Sequence, residues 1–255
     1  MKRNAPIPTQ PSVTIFIPVL NEEAIICQSV RKVASRLANR KGSWRIVVVD
    51  DGSTDRTVEV LLPLLSDTIR LSRSSKGNSW RENMGRAMAE ADTDVVGFVD
   101  ADLSPDIETL PVLIDALVDG ADGAVGSRYL PDSRLERSGH RIAASYAYTT
   151  FLSLLFGRSV ADYQCGLKVF RTQVFKHLAE VSRYEGPLLR GWFWDAEILI
   201  RAIRMGYRVV EVPITWIESP RSSYRLASQL RLIPYILAFR LRLFREPTTH
   251  EPPRD

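Results

Sequence analysis

The chain predicts an α/β fold, a Rossmann-like doubly wound and mainly parallel sheet. Apolar runs of strand length alternate with helical stretches at regular spacing. Two of those runs also end in acidic clusters, Arg45-Ile46-Val47-Val48-Val49-Asp50-Asp51-Gly52-Ser53-Thr54-Asp55 and Val95-Val96-Gly97-Phe98-Val99-Asp100-Ala101-Asp102-Leu103-Ser104. Uninterrupted apolar runs suit strands covered on both faces, as in parallel sheets. Carboxylates crowded at the carboxyl end of such a strand repel one another unless a cation or sugar hydroxyls sit there, and open α/β sheets bind ligands at that edge.

The elements follow in order. Val13-Thr14-Ile15-Phe16-Ile17-Pro18 reads as the first strand, and Asn21-Glu22-Glu23 opens a helix to about Asn39, with acidic residues at its positive end. Arg45–Val49 is the second strand, followed by a helix capped by Ser53 or Thr54. Asp67–Ser72 is the third strand, Trp80–Ala91 a helix and Val95–Val99 the fourth strand. Pro105 then stands at the preferred first position of a helix, and Ala121–Ser127 is the fifth strand.

Beyond Tyr129 the alternation loosens. An amphipathic helix over Ile142–Phe156 precedes a loop and short strand, Asp162-Tyr163-Gln164-Cys165-Gly166-Leu167-Lys168-Val169-Phe170-Arg171. Asp195–Met205 is helical and Tyr207–Ile214 is a strand. A final amphipathic helix, kinked by Pro234, carries Leu230, Ile233, Leu237, Leu241 and Phe244 on one side. The expected organisation is a tail (1–11), a catalytic domain (12–225), the amphipathic helix (226–246) and a second tail (247–255).

With 255 residues, 45% of them hydrophobic, the chain can bury a sizeable core. The net charge of +4 and a pI near 9.2 suit a phosphorylated ligand or an anionic membrane surface. No basic block or RNA-binding signature appears, so nucleic acid is not an expected partner. Cys27 and Cys165 lack CxxC partners, which argues against structural zinc or a disulfide framework and for reduced cytosolic thiols. Met1–Pro11 has no apolar signal-peptide core. Ile142–Phe156 is shorter than the roughly 18–20 apolar residues that span a bilayer, so no transmembrane helix is expected.

Asp100-Ala101-Asp102 is the sharpest local signal. Two carboxylates one residue apart can both reach one hard cation, Mg²⁺ or Mn²⁺, whose other positions go to diphosphate and water. The alternative is a solvated turn in which Asp102 or Ser104 caps the next helix. Asp51 can accept from a base N–H or a ribose hydroxyl, with Gly52 permitting close approach. Its alternative is turn chemistry, with Asp55 stabilising a helix start.

Ile17-Pro18-Val19-Leu20-Asn21-Glu22, the Asp50-Asp51-Gly52-Ser53 run and Asp100-Ala101-Asp102 together resemble the inverting family-2 glycosyltransferases of GT-A fold. Gly126-Ser127-Arg128-Tyr129, the Asp162–Phe170 run, Trp194-Asp195-Ala196-Glu197 and Val210-Glu211-Val212-Pro213-Ile214-Thr215-Trp216 are similar to polyprenyl-phosphate sugar synthases. The dolichyl-phosphate glucosyltransferase branch is closer than the mannosyltransferase branch, and the likeness runs from Ser12 to Arg225.

The resemblance implies a UDP- or GDP-sugar held by Pro18, Glu22, Asp51 and Lys76, with Asp100, Ala101 and Asp102 at the metal and diphosphate. An anionic polyprenyl phosphate (dolichyl or undecaprenyl) can attack C1 without a general base, and Arg128, Lys168 and Arg221 are candidates to bind it. Each is otherwise an ordinary surface charge. Asp195 orients the sugar, serves as base toward a hydroxyl acceptor, or is a plain carboxylate at a helix start. Two departures stand out. The family's Lys-Gly-x-Ala-x-Arg-x-Gly stretch is Lys76-Gly77-Asn78-Ser79-Trp80-Arg81-Glu82-Asn83 here, ending in Asn83 instead of Gly. Where relatives carry Gln after the metal motif stands Ser104, which would touch a metal only through water.

The closing helix, with Arg225, Arg231, Arg240, Arg242 and Arg245 among its apolar residues, suits either an anionic leaflet or packing on the domain with snorkelling arginines. The expectation is a metal-dependent hexosyltransferase, peripheral on the cytoplasmic face of a membrane. Transfer to a soluble hydroxyl acceptor and a non-catalytic nucleotide-sugar binding module are the alternatives.

Overall fold

A computed structural model of the chain describes residues 6–74, 80–157, 159–183, 188, 190–218 and 230–245. Its centre is a seven-stranded sheet of order β3-β2-β1-β4-β7-β5-β8. The strands are β1 Val13–Val19, β2 Trp44–Asp50, β3 Ile69–Arg73, β4 Val95–Val99, β5 Gly123–Ser127, β7 Leu167–Arg171 and β8 Val209–Pro213. β1 pairs in parallel with β2 on one side and β4 on the other, which places a topological switch point at its carboxyl end. β7 alone runs antiparallel, inserted between β4 and β5. A second sheet of two strands pairs β6 (Arg134–Glu136) with β9 (Thr215–Ile217).

Alternate residues of each strand feed two cores. Ile15, Ile17, Ile46 and Val48 pack with Val30 and Val33 of α1 (Ile26–Ala38) and Leu113 and Leu117 of α4 (Leu110–Val118). On the opposite face Phe16, Phe98 and Phe170 pack with Met84 and Met88 of α3 (Trp80–Ala89), Phe175 of α6 (Thr172–Val181) and Trp194 of α7 (Phe193–Arg204).

Several element starts differ from the sequence reading. After β1 the chain makes a turn, with Asn21 at φ 58°, and α1 begins only at Ile26. After β2 the short α2 (Thr57–Leu61) starts on Asp55, whose Oδ1 accepts from the Thr57 N–H at 2.9 Å, while Ser53 and Thr54 bond to Asn21. Pro105 does not start a helix. It makes an isolated bridge to Trp216, and Asp106 caps the 3₁₀ turn that leads into α4. Past β5, α5 (Gly139–Phe156) begins earlier than its apolar periodicity suggested.

The closing helix α8 (Ile233–Arg245) carries Pro234 in its first turn, where a missing N–H costs nothing, and the expected break falls just before it, at the turn of Arg231 and Leu232 after helical Leu230. It docks by a different stripe from the expected one. Tyr235, Ile236, Phe239 and Leu243 are buried, whereas Leu237 (45%), Leu241 (63%) and Phe244 (66%) are exposed. The Tyr235 hydroxyl donates to Glu197 Oε2 at 2.6 Å inside the core, and Arg201 Nε donates to Glu197 Oε1 at 2.9 Å. Burial, and then the Glu197 charge, push the Tyr235 phenol well above its ordinary pKa. Tyr235→Phe is therefore expected to cost about 1.5–3 kcal/mol, the range for a hydrogen bond to a charged group, in urea unfolding.

Candidate active site

The site forms where the loops after β1, β2 and β4 meet. Asn21 ties the first two together. Its Oδ1 accepts from the backbone N–H of Thr54 at 2.8 Å and of Asp55 at 3.3 Å, while its own N–H donates to Ser53 Oγ at 2.9 Å. The Glu22 N–H donates to Thr57 Oγ1 at 2.8 Å, which holds Glu22 at the mouth of the same crevice. Pro18 lies on β1 opposite Val49, just inside it.

The two acids that end β2 divide their work. Asp50 is fully buried and accepts from the Ser53 N–H at 3.1 Å and from Arg73 Nε at 3.3 Å, a structural arrangement. Asp51 is also buried, and its carboxylate accepts a short hydrogen bond from Asn83 Nδ2. The residue that breaks the sequence pattern thus steadies the carboxylate expected to meet the nucleoside.

At the end of β4, Asp100 is tightly placed. Its N–H donates to Gly166 O at 3.0 Å, and Oδ1 accepts from Arg81 NH2 at 2.9 Å. Gly166 must lack a side chain, since a Cβ there would lie 1.8 Å from Asp100 Oδ2. Ala101 is buried and its carbonyl accepts from Ser29 Oγ at 2.6 Å. Leu103 adopts φ 48°, which turns the chain so that the Ser104 N–H and hydroxyl both donate to Asp102, at 3.0 and 2.8 Å. Ser104 therefore steadies Asp102, a role the sequence reading did not give it.

Burial, and secondarily the charge of Asp100, raise the pKa of Asp102. A cation between the two carboxylates would relieve both terms. No cluster of three or more His, Cys, Asp or Glu side chains able to hold a metal is present among the described residues. Two carboxylates with the remaining positions left to diphosphate oxygens and water fit Mg²⁺ or Mn²⁺.

The expected acceptor cations are placed differently. Arg128 is buried and donates from Nε and NH2 to Asp162 at 2.6 and 2.8 Å, between the rings of Tyr129 and Trp216. Its charge is matched inside the fold by Asp162. Lys168 has no exposed surface. Its ammonium donates a short bond to the Cys165 carbonyl and lies 5.3 Å from the Phe98 ring centre. Lys76 and Arg221 fall outside the described residues.

A second group of arginines gathers on Glu218. Arg137 Nε and Arg141 NH1 both donate to Glu218 Oε1, at 2.7 and 2.8 Å, and Arg137 NH1 donates to Ser145 Oγ at 2.5 Å. The adjacent Ile217 N–H donates to Ser104 O at 3.0 Å, which fastens this cluster to the Asp102 turn. Sequence reasoning missed it because Glu218, the carboxylate that gathers the arginines, lies 77 residues beyond Arg141. The only linear hint was a pair of arginines just before the α5 apolar run.

Asp195 opens α7 but does not face solvent. It is 2% exposed and lies 3.2 Å from Arg81 NH2. Burial raises its pKa, with the charges of Arg81 and Lys168 acting against that rise.

An open α/β sheet with paired carboxylates at its switch point has the architecture of a GT-A glycosyltransferase. The chain belongs to glycosyl transferase family 2, whose family model matches residues 14–179. It is 30% identical over 248 residues to the glycosyltransferase AglD of Haloferax volcanii, covering 92% of this chain but 39% of that protein. It is 30% identical to the dolichyl-phosphate β-glucosyltransferase of Saccharomyces cerevisiae, over 84% of this chain and 70% of the relative. It is 31% identical to the polyprenol monophosphomannose synthase of Mycolicibacterium smegmatis, over 83% and 79%. In fold it matches glucosyl-3-phosphoglycerate synthase of Mycobacterium tuberculosis, crystallised with Mn²⁺, UDP and glucosyl-3-phosphoglycerate. The TM-score is 0.67 at 21% identity, with 90% of this chain and 80% of that one covered.

Proposed function

We propose that this glycosyltransferase moves a hexose from a UDP- or GDP-sugar onto the phosphate of a polyprenyl lipid, inverting the anomeric centre. The donor lies in the crevice of Pro18, Glu22 and Asp51, with its diphosphate over Asp100 and Asp102. Those two carboxylates would hold a divalent cation, which would supply Lewis-acid neutralisation of the departing diphosphate. A phosphate oxygen of the acceptor attacks C1 from the face opposite the leaving group. The new bond is C1–O(phosphate), the broken one is C1–O(diphosphate), and no proton moves.

The observation that carries the acceptor class is the pair of guanidiniums, Arg137 and Arg141, converging on one carboxylate oxygen of Glu218 beside the Asp102 turn. Geometry that holds a carboxylate between two guanidiniums also suits a phosphate, with Glu218 keeping the place until the lipid enters. The buried pairing of Asp195 with Arg81 supports the same reading, because an acceptor that is already anionic needs no base.

No described helix is long and apolar enough to cross a membrane. Contact with the bilayer is assigned to the exposed stripe Leu230, Leu237, Leu241 and Phe244, flanked by Arg240 and Arg245. That composition fits a helix lying on an anionic, cytoplasmic leaflet. Incubation with labelled UDP- and GDP-hexoses, Mg²⁺ or Mn²⁺, and undecaprenyl phosphate is expected to give lipid-extractable label from one nucleotide class. No lipid label with any donor, alongside labelling of a soluble sugar, would overturn the proposal.

A further inference from the structure

The geometry points to Asp195 as a positioning residue that acts through Arg81 on Asp100. The inference rests on the reading that Asp100 and Asp102 hold the donor's divalent cation. Arg81 joins the two acids directly, with NH2 at 2.9 Å from Asp100 Oδ1 and 3.2 Å from Asp195 Oδ2. Arg81 is 3% exposed and Asp195 2%, so this relay runs through the interior and not across the surface.

Arg81 has little freedom. Its guanidinium carbon lies 5.1 Å from the ring centre of Phe98 and 5.2 Å from that of Trp192. Phe98 belongs to β4, two residues before Asp100, and Trp192 immediately precedes α7, three residues before Asp195. Strand and helix thus each supply one aromatic wall and one carboxylate to the same guanidinium.

Gly166 lies against the other oxygen of Asp100, where an added Cβ would come within 1.8 Å of Oδ2. With Gly166 beside Oδ2 and Arg81 on Oδ1, the Asp100 carboxylate has little room to move before a metal arrives. Preorganised ligands bind tighter, and removing a hydrogen-bonded partner of a metal ligand typically costs 10- to 100-fold in metal affinity.

If Asp195 is exchanged for asparagine, one negative partner of Arg81 disappears. More of the guanidinium's charge then falls on Asp100, competing with the metal.

The test uses Mn²⁺ as probe, with its free ion followed by electron paramagnetic resonance in the presence of UDP. Asp195→Asn is expected to weaken Mn²⁺ binding about tenfold while metal-free UDP binding stays as in the wild type. Arg81→Met is expected to weaken it similarly, and Asp195→Asn to add nothing in the Arg81→Met background. An unchanged Mn²⁺ affinity in Asp195→Asn, or additive losses in the double variant, would overturn the proposal. If wild type takes up no Mn²⁺, or Asp102→Asn takes up as much as wild type, the metal reading fails and the relay falls with it. Should Asp195→Asn not fold, Trp192→Leu replaces it. Loss of one cation–π wall is expected to weaken Mn²⁺ about threefold, and no change overturns the relay.

Discussion

Asp102→Asn is expected to reduce sugar transfer by at least about a hundredfold, because metal Lewis acidity is worth several kcal/mol and each 1.4 kcal/mol is a factor of ten. The substitution keeps the shape of the side chain and one acceptor for the Ser104 N–H. It removes one of only two carboxylates at the end of β4. Folding should not suffer. Burial and the neighbouring Asp100 disfavour the ionised form of Asp102, so the wild-type charge at neutral pH works against the folded state. Steady-state transfer rates and thermal melting on the same samples check both halves. The rate is expected to collapse while the melting temperature holds or rises, the pattern of a residue kept for function at the expense of stability.

The second large effect concerns stability and not turnover. Arg128→Met is expected to destabilise the fold by about 3–5 kcal/mol, since it strands the Asp162 carboxylate without its buried partner. Burial alone would raise the Asp162 pKa, but the charge and hydrogen bonds of Arg128 outweigh it and hold the carboxyl below its ordinary range. A depressed carboxyl pKa stabilises the fold above the unfolded value of about 4, and that stabilisation is lost as pH falls through the lower folded value. In Arg128→Met the sign reverses, because the buried acid is then easier to protonate folded than unfolded. The stability gap between wild type and variant should therefore narrow as pH is lowered. Chemical denaturation across acid pH measures it. The double variant Arg128→Met/Asp162→Leu is expected to recover most of the loss, as buried ion pairs replaced by apolar residues often do.

These two outcomes separate residues that looked alike in the sequence. Asp100-Ala101-Asp102 and Gly126-Ser127-Arg128 both stand just past apolar strands, and both suggested site chemistry. Local spacing displays the surroundings of the first because its partners, Ser104 and the strand end itself, are close in the chain. It does not display those of the second, because Asp162, 34 residues away, pairs with Arg128. The same holds for Lys168. It sits on β7, the one antiparallel strand, whose insertion between β4 and β5 buries it, and no apolar pattern announces such an insertion.

The alternation of strands and helices up to Ser127 was legible because each unit packs on its neighbour in the chain. Helix starts were less so. Ser53 and Thr54 are good capping residues, yet the competing bonds to Asn21 across the crevice take them for the site. The closing helix shows a different ambiguity. It is apolar on two sides, and sequence periodicity selected the stripe that remains exposed while Tyr235, Ile236, Phe239 and Leu243 do the docking. Arg81 and Asn83 were noticed only as survivals and departures in a motif. Their partners Asp100, Asp195 and Asp51 give them their physical meaning.

The proposed chemistry requires a phosphate acceptor and not a hydroxyl. The most direct measurement offers the enzyme two lipids of equal chain length, polyprenyl phosphate and the corresponding polyprenol, with the preferred labelled nucleotide sugar and Mg²⁺. The expected result is an acid-labile glycosyl phosphate from the first lipid and no product from the second. Equal transfer to the polyprenol, or transfer to the polyprenol alone, would contradict it.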